Sequence, residues 1–151
     1  VLVAMNHQAW LEERRDLCDD AVIVYEAAMK LPNEAYRHYP IPAEEISQGL
    51  DWARGKNFVF VGALVRLFRL GLDVAETIIQ RRMGRHPESL EKNLEAMRRG
   101  YAYVERTYPD PFPYTLPLPD AIGAYLRAGP SGVRVQDFPD NRDAEILTLK
   151  P

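Results

Sequence analysis

The pattern of apolar and polar positions predicts two buried strands joined by a helix at the start of the chain. Residues 1–5 (VLVAM) and 21–25 (AVIVY) are short apolar runs rich in β-branched side chains, which is typical of strands buried on both faces. Residues 8–17 between them have helical spacing, with Trp10 and Leu11 expected to point inward. Two such strands connected through a helix form a βαβ unit, in which the strands run parallel.

The next part of the chain predicts an extended stretch and then an apolar helix. Residues 39–42 (YPIP) are held extended because each proline disfavours helix in the residue before it, and Pro42 suits a helix start. Asn57 is expected to cap a helix that runs to Leu72 and is apolar on nearly every side. Gly62 within it fits either a close approach of another backbone or ordinary packing.

Two more helices are predicted before residue 108. Asp73 is expected to cap a helix that Gly84 closes, and Pro87 is expected to open the longest helix of the chain. Positions at spacings of three and four form an apolar stripe along that last helix, namely Leu90, Leu94, Met97, Tyr101 and Val104. Opposite charges four residues apart are expected to stabilise its outer face, in the pairs Glu88–Lys92 and Glu95–Arg99.

Proline is concentrated at the end of the chain. Eight of the twelve prolines lie in residues 109–151, interleaved with apolar residues. This pattern favours an extended arm that docks on a neighbouring chain, and a loosely folded tail is the alternative. Within the arm, residues 119–127 fit a short helix, and residues 132–137 and 146–149 fit strands. The expected division is therefore an α/β domain over 1–108 and the arm after it.

Composition narrows the class of protein. With 151 residues, 46% hydrophobic and 27% charged, the chain has the balance of a soluble globular domain. Its net charge of −3 argues against a dedicated nucleic-acid binder, which usually carries a basic surplus. The longest apolar stretch, residues 58–72, is interrupted by Arg66 and Arg69, so no membrane span is predicted.

A single cysteine, Cys18, excludes several kinds of site. The chain cannot form an intramolecular disulfide or a CxxC zinc site. An iron–sulfur cluster normally needs about four thiolates, so this chain alone holds none. The low cysteine content also favours a reducing compartment, and we expect a cytoplasmic protein.

No nucleotide-binding, metalloprotease or hydrolase motif occurs, and neither a catalytic nor a metal-binding residue is predicted. Loops that follow parallel strands are where α/β proteins bind ligands. Asn6 and His7 after the first strand and Glu26 after the second are therefore positional candidates for cofactor binding, with structural turn roles as the alternative. The spacing of Arg81 and His86 is similar to that of HEPN ribonucleases, but Gly84 and Pro87 interrupt the helix there, and a basic helix C-terminus is the better explanation.

Five short stretches occur in an order and spacing characteristic of one enzyme family. Residues 57–64 (NFVFVGAL) are similar to its N-M-V-x-L-G-A-L, and residues 90–101 (LEKNLEAMRRGY) to its E-K-N-L-x-A-x-x-x-G-Y. Residues 39–46 (YPIPAEEI) resemble its V-P-A-T-E-I-A, residues 1–6 (VLVAMN) its L-V-A-L-N, and residues 71–72 its G-L. The chain thereby resembles the gamma subunit or domain of 2-oxoacid:ferredoxin oxidoreductases over about residues 1–108.

The resemblance implies a function. These enzymes split a 2-oxoacid with thiamine diphosphate, pass electrons through iron–sulfur clusters to ferredoxin, and release an acyl-CoA. Their gamma part is a Rossmann-like α/β unit that packs on the other subunits and is associated with the coenzyme A end of the reaction. The resemblance therefore implies a non-catalytic subunit that binds no cofactor alone, with the other subunits as partners and ferredoxin reached through the complex. It adds Asn57 to the candidate cofactor contacts.

The sequence departs from this family in two places. The family unit opens with a glycine-rich strand–turn–helix that has no match here, so the chain resembles only about its last two-thirds. The proline-rich arm also has no counterpart. A non-enzymatic assembly or interaction protein that keeps the fold is the alternative function. The expected architecture is α/β: a partial Rossmann-like parallel sheet with a helical cluster and a proline-rich C-terminal arm.

Overall fold

A computed structural model describes residues 1–31, 36–84, 87–110 and 112–114, together with the backbone of two later strands. The chain divides into two compact units, Val1–Tyr114 and Thr115–Pro151. The helices and strands of the first unit are β1 (Leu2–Ala4), α1 (His7–Glu13), β2 (Val22–Glu26), β3 (Arg37–Ile41), α2 (Ala43–Gln48), α3 (Lys56–Leu67), α4 (Leu72–Met83) and α5 (Pro87–Thr107). In the second unit, β4 (Arg134–Asp137) pairs antiparallel with β5 (Glu145–Thr148).

The first unit is built on a parallel three-stranded sheet in the order β1-β2-β3. Val3 pairs with Val24, and Val24 pairs with Tyr39. The βαβ prediction is confirmed, and the extended stretch around Pro40 proves to be a third strand. Pro40 has no N–H to donate, and prolines are tolerated in strands at a sheet edge, which is where β3 lies among the described strands.

Both faces of the sheet are covered, because side chains alternate along each strand. Val22 and Val24 pack into the core formed with α3 and α5. Ile23 and Tyr25 point the other way and pack with Trp10 of α1. All residues of β2 are buried, as expected for the central strand of a parallel sheet.

Helices α3 and α5 cross at two glycines. A Cβ atom at Gly62 would overlap the carbonyl oxygen of Met97, and one at Gly100 would overlap the carbonyl oxygen of Val59. The two backbones therefore touch directly, and each glycine is required by the backbone of the facing helix. The structure thus selects close approach over ordinary packing for Gly62.

The boundaries of α3 and α4 differ from those predicted. A 3-10 turn, Ala53–Gly55, leads directly into α3, so Gly55 is the N-cap and the predicted cap, Asn57, lies exposed within the helix. Helix α3 ends at Leu67 rather than residue 72, because Arg69 adopts a left-handed conformation and reverses the chain. Gly71, not Asp73, is the N-cap of α4.

Two predictions of inward-facing helices also need correction. The first helix is α-helical only to Glu13, and Leu11 is 45% exposed because burial of Trp10 turns its neighbour about 100° away from the sheet. Helix α3 is not buried on every side as its nearly all-round apolar sequence predicts, since Val61 is exposed.

The stripe predicted on α5 lies toward the core, with Leu94, Met97 and Val104 fully buried. The charge pair Glu95–Arg99 forms, with 2.8 Å between Oε1 and Nε. The predicted partner of Glu88, Lys92, instead places its ammonium 5.0 Å from the ring centroid of Trp52. The indole N–H of Trp52 donates to Oδ1 of buried Asn93 at 2.7 Å.

The end of the first unit, after α5, packs on the core through aromatic side chains. Phe112 is buried, with its ring 5.0 Å from both Tyr39 and Phe68 in edge-to-face arrangements. The hydroxyl of Tyr114 donates to the carbonyl of Asp20 at 3.3 Å. In the second unit the two predicted strands are confirmed as β4 and β5, whereas the helix expected at 119–127 lies outside the described residues. Docking of the arm, residues 109–151, on a neighbouring chain stays a prediction.

Tyr108 makes the stability of the fold depend on pH in the alkaline range. Its hydroxyl donates to the carbonyl of Pro40 at 2.8 Å, and burial raises the pKa of its phenol above the ordinary value. The raised pKa in the folded state means that its contribution is complete below about pH 10, where unfolded tyrosine begins to ionise, and is lost as the pH rises further. We expect the free energy of unfolding to fall from about pH 10 upward.

The Tyr108→Phe variant tests this assignment. It should lose about 1 kcal/mol at neutral pH, because the Pro40 carbonyl loses its donor, and its stability should fall less steeply in alkali. Urea unfolding at several pH values between neutrality and strong alkali measures both effects. An equal slope in the variant and the wild type would assign the alkaline loss to other groups.

Candidate functional site

The carboxyl ends of the three parallel strands meet at one edge of the sheet, where open α/β folds bind ligands. Asn6 and His7 follow β1, Glu26 ends β2, and Pro42 follows β3. Among the described residues no hydrogen bond or ion pair connects Asn6 or His7 with Glu26. The edge therefore contains two separate positions, one after β1 and one between β2 and β3.

Glu26 is the centre of the second position. Its side chain is only 5% exposed, although a buried carboxylate is costly unless it is paired. Its Oε2 atom accepts a hydrogen bond from the backbone N–H of Glu44 at 3.2 Å and lies 3.3 Å from Nζ of Lys56. Glu26 thereby joins the end of β2 to the starts of α2 and α3.

Lys56 and Glu44 complete a three-residue charge cluster. The ammonium of Lys56 also lies 3.6 Å from Oε2 of Glu44, and the side-chain amide of Gln48 donates to Oε1 of Glu44 at 3.3 Å. Lys56 is the first residue of α3, where the helix dipole disfavours a positive charge. The two carboxylates offset that cost.

A concave surface of about 470 Å³ opens beside this cluster. Its lining consists of Glu26, Ala27, Ala28, Pro42, Glu44, Glu45 and Gln48. Lys56 pairs with two of the three carboxylates, Glu26 and Glu44, so the surface keeps a net negative charge, which suits hydrogen-bond donors and disfavours phosphate. Within the described ranges, no group of three or more His, Cys, Asp or Glu side chains could hold a metal ion.

Asn6 has a structural role at the start of α1. It is the N-cap of α1, and its Oδ1 atom accepts a hydrogen bond from the backbone N–H of Ala9 at 2.9 Å. His7 is the first residue of that helix and is exposed. A capping role thus accounts for Asn6, and the chemistry of His7 stays a positional prediction.

We expect Asn6→Ala to destabilise the chain by about 1 kcal/mol, because the first turn of α1 loses its acceptor. Asn6→Asp should retain nearly full stability, since a carboxylate caps a helix equally well. Thermal unfolding followed by circular dichroism measures the difference. Equal stability of the Ala and Asp variants would show that the cap contributes nothing.

Sequence reasoning missed Lys56 and Glu44 and chose Asn57, the residue that follows Lys56. Asn57 is exposed and follows Lys56 in the first turn of α3, so it lies near the cluster along the chain without a described contact to it. A usable signal was present: a lysine at a helix start is unfavourable by itself and indicates carboxylates nearby.

The pair compared with HEPN ribonucleases stays untested. Arg81 is in the last turn of α4, and His86 lies outside the described residues. Within the part that the structure describes, no helix is long and apolar enough to cross a membrane.

The parallel sheet, its two covered faces and the charged carboxyl edge define a partial Rossmann-like α/β unit. The family of this unit is shown by a match over residues 1–103 to the family described as pyruvate ferredoxin/flavodoxin oxidoreductase. The chain belongs to this family, and the resemblance seen in the sequence is confirmed. A comparison with curated proteins gives no match.

Two solved structures share the fold. One is described as "2-oxoglutarate:ferredoxin oxidoreductase from Magnetococcus marinus with 2-oxoglutarate, coenzyme A and succinyl-CoA bound"; it has 23% identity and a TM-score of 0.64, with 76% of this chain and 21% of that chain covered. The other is the gamma subunit of a keto/oxoacid ferredoxin oxidoreductase from Geobacter sulfurreducens PCA, with 22% identity and a TM-score of 0.59. That match covers 70% of this chain and 64% of the subunit. The chain thus spans about a fifth of the first structure's chain and under two-thirds of the second's.

Proposed function

We propose that this chain is a non-catalytic subunit of a complex that oxidatively decarboxylates a 2-oxoacid to an acyl-CoA and reduces ferredoxin. The observation that carries the proposal is the family match over residues 1–103. The likeness of the fold to a keto/oxoacid ferredoxin oxidoreductase gamma subunit agrees with it. The buried carboxylate at the sheet edge, Glu26, is paired with Lys56 and with the backbone N–H of Glu44. This structural role agrees with a non-catalytic subunit.

The redox cofactors of such a complex would lie on its other chains. An iron–sulfur cluster needs about four thiolates, and this chain supplies one exposed cysteine, Cys18. We assign thiamine diphosphate to the partner subunits as well, and we place the complex in the cytoplasm, where a free thiol stays reduced.

The phosphates of coenzyme A limit which part of such a ligand this chain could contact. One structure with this fold is described with coenzyme A and succinyl-CoA bound, which motivates placing our chain on the coenzyme A side of the complex. The concave surface beside Glu26 fits the hydrogen-bond donors of such a ligand, but its carboxylates repel phosphates. The phosphates would therefore be held by basic groups outside this surface.

Purification of the native complex through a tag on this chain tests the proposal. We expect thiamine diphosphate, iron–sulfur protein and 2-oxoacid-dependent reduction of ferredoxin to be recovered together. Recovery of protein partners without thiamine diphosphate or iron–sulfur protein would contradict it and support a non-enzymatic assembly or interaction protein. The intact mass of the complex then gives its stoichiometry.

A further inference from the structure

A small cavity lies in the first unit, where the chain reverses after α3 and passes beside the segment that follows α5. Its volume is about 200 Å³, below the range of about 300–1,000 Å³ that is typical of sites for drug-sized ligands. It shares no lining residue with the concave surface beside Glu26. Its lining combines apolar with charged side chains, including Leu67, Val104, Phe112, Arg66, Arg69 and Asp110.

Arg66 is held in place at this cavity but has hydrogen-bond donors to spare. Its guanidinium carbon lies 5.9 Å from the ring centroid of Tyr101, and its Nε atom is 3.5 Å from Oε1 of Glu105. The Nε atom is buried and makes no hydrogen bond within the described part of the chain, which is uncommon for a buried polar atom. A guanidinium offers five N–H donors in a planar fork that matches a carboxylate. Arg66 therefore suits an anionic group placed in the cavity.

Arg69 is a second basic residue of the lining, and its backbone conformation is unfavourable for arginine. Its φ of 55° lies in the left-handed region, where glycine is favoured at the end of a helix. The dipole of α3 explains a basic residue in the last turn, such as Arg66, but Arg69 lies beyond that turn. Arg69 is exposed and forms no ion pair with any residue that the structure describes. An unpaired arginine at a strained position is better explained by a ligand that it contacts.

Asp110 adds a negative charge to the same cavity without pairing with either arginine. Neither Arg66 nor Arg69 forms an ion pair with it, although opposite charges that line one cavity attract each other. Asp110 lies between Pro109, whose ring restricts the backbone, and Phe112, which is buried in the core. The segment therefore holds the carboxylate apart from the guanidinium groups. Separated charges of both signs suit a small ligand that carries both charges and bridges them.

We propose that this cavity binds a small α-amino acid, with its carboxylate on Arg66 and Arg69 and its ammonium on the carboxylate of Asp110. An α-amino acid carries these two charges on adjacent carbon atoms, and the volume of the cavity limits it to a short side chain. Leu67 and Phe112 provide apolar surface for that side chain. A phosphate is a poorer ligand, because the carboxylate of Asp110 repels it. The inference goes beyond the proposed function and does not depend on it.

Three small probes test the class of ligand on the full chain by isothermal titration calorimetry. L-alanine carries both charges, propanoate lacks the ammonium, and ethylamine lacks the carboxylate. L-alanine should bind at least about 10-fold more tightly than either of the other two, because only it makes both charge-assisted contacts. Absence of L-alanine binding, or propanoate or ethylamine binding as tightly as L-alanine, would overturn the inference.

Two variants test the position of the site. Arg69→Gln should weaken the binding of L-alanine by about 10-fold, because the carboxylate of the ligand loses a charged donor. Asp110→Asn should also weaken L-alanine by about 10-fold but leave propanoate unchanged or bound more tightly, since the partner of the ammonium and the repulsion of the carboxylate are removed together. Arg106→Gln is the matched control, because Arg106 is an exposed arginine in the last turn of α5 that does not line the cavity. It should bind L-alanine as wild type does.

Thermal unfolding of the three variants should match wild type, because the altered side chains are exposed. If L-alanine binds Arg69→Gln and Asp110→Asn as tightly as wild type, the amino acid binds elsewhere and the inference is overturned. If Arg106→Gln weakens binding as much as Arg69→Gln does, the overall charge rather than the cavity is responsible, and the inference is overturned as well. None of these results bears on the proposed function, which the purification of the native complex decides.

Discussion

Gly62→Ala should destabilise the first unit by about 3 kcal/mol or more, the largest effect that we expect from a single methyl group in this chain. The added Cβ would overlap the carbonyl oxygen of Met97 on α5 and lie within 2.9 Å of the backbone nitrogen of Tyr101. Both obstacles are backbone atoms, so no rotamer change relieves them. The two helices must separate, and the tightly packed core between them and the sheet opens.

Gly49→Ala is the matched control for this experiment. A Cβ atom at Gly49 would meet the carbonyl oxygen of Glu45 at 3.4 Å, and Gly49 has an ordinary right-handed helical conformation with φ of −63°. We expect this variant to be neutral or stabilised by up to about 1 kcal/mol, because alanine restricts the unfolded chain more than glycine does. Urea unfolding followed by circular dichroism compares the two. Equal midpoints for the Gly62 and Gly49 variants would show that α3 and α5 do not meet through their backbones.

Lys56→Met should cost about 2 kcal/mol or more, the second large effect. It leaves the carboxylate of Glu26, whose side chain is 5% exposed, with only the backbone N–H of Glu44 as partner. A buried charge that loses its counterion costs far more than an exposed one, because water cannot replace the lost partner. Adding Glu26→Gln to Lys56→Met should recover part of the loss, since the remaining group is then neutral and keeps an acceptor oxygen.

Arg99→Met provides the comparison, because the Arg99–Glu95 pair is exposed on both sides. Its loss should cost less than about 0.5 kcal/mol. The four chains, wild type, Lys56→Met, the double variant and Arg99→Met, are compared by urea unfolding at neutral pH. If the double variant is no more stable than Lys56→Met, the unpaired charge is not the cause of the loss.

Sequence patterns predicted the strands whose own residues favour them, but not the strand that depends on a distant partner. The strands β1 and β2 were predicted because continuous β-branched runs fit few environments other than a doubly covered sheet. The strand β3 was predicted only as an extended stretch. Arg37, His38 and Pro40 do not form an apolar run, and this segment becomes a strand because β2 offers it a free edge. Pairing partners supplied by a distant segment are not visible in a local window.

Only one residue of the charge cluster at the sheet edge was selected from the sequence. Glu26 was selected from its position after a strand, and the structure places it at the centre of the cluster. Lys56 and Glu44 were not selected, because their roles exist only once β2, α2 and α3 come together. The predicted cap at Asn57 was wrong because an adjoining 3-10 turn extends the helix by two residues to Lys56.

The two tryptophans provide separate optical reporters of the two layers on the sheet. Trp10 is buried under α1 with Tyr36 beside it at 6.4 Å, whereas Trp52 is tied to α5 through Asn93 and Lys92. Fluorescence from a chain that retains only Trp10 follows closure of the α1 layer, and a chain that retains only Trp52 follows the α5 layer. Refolding can therefore be timed layer by layer in this protein without an attached dye.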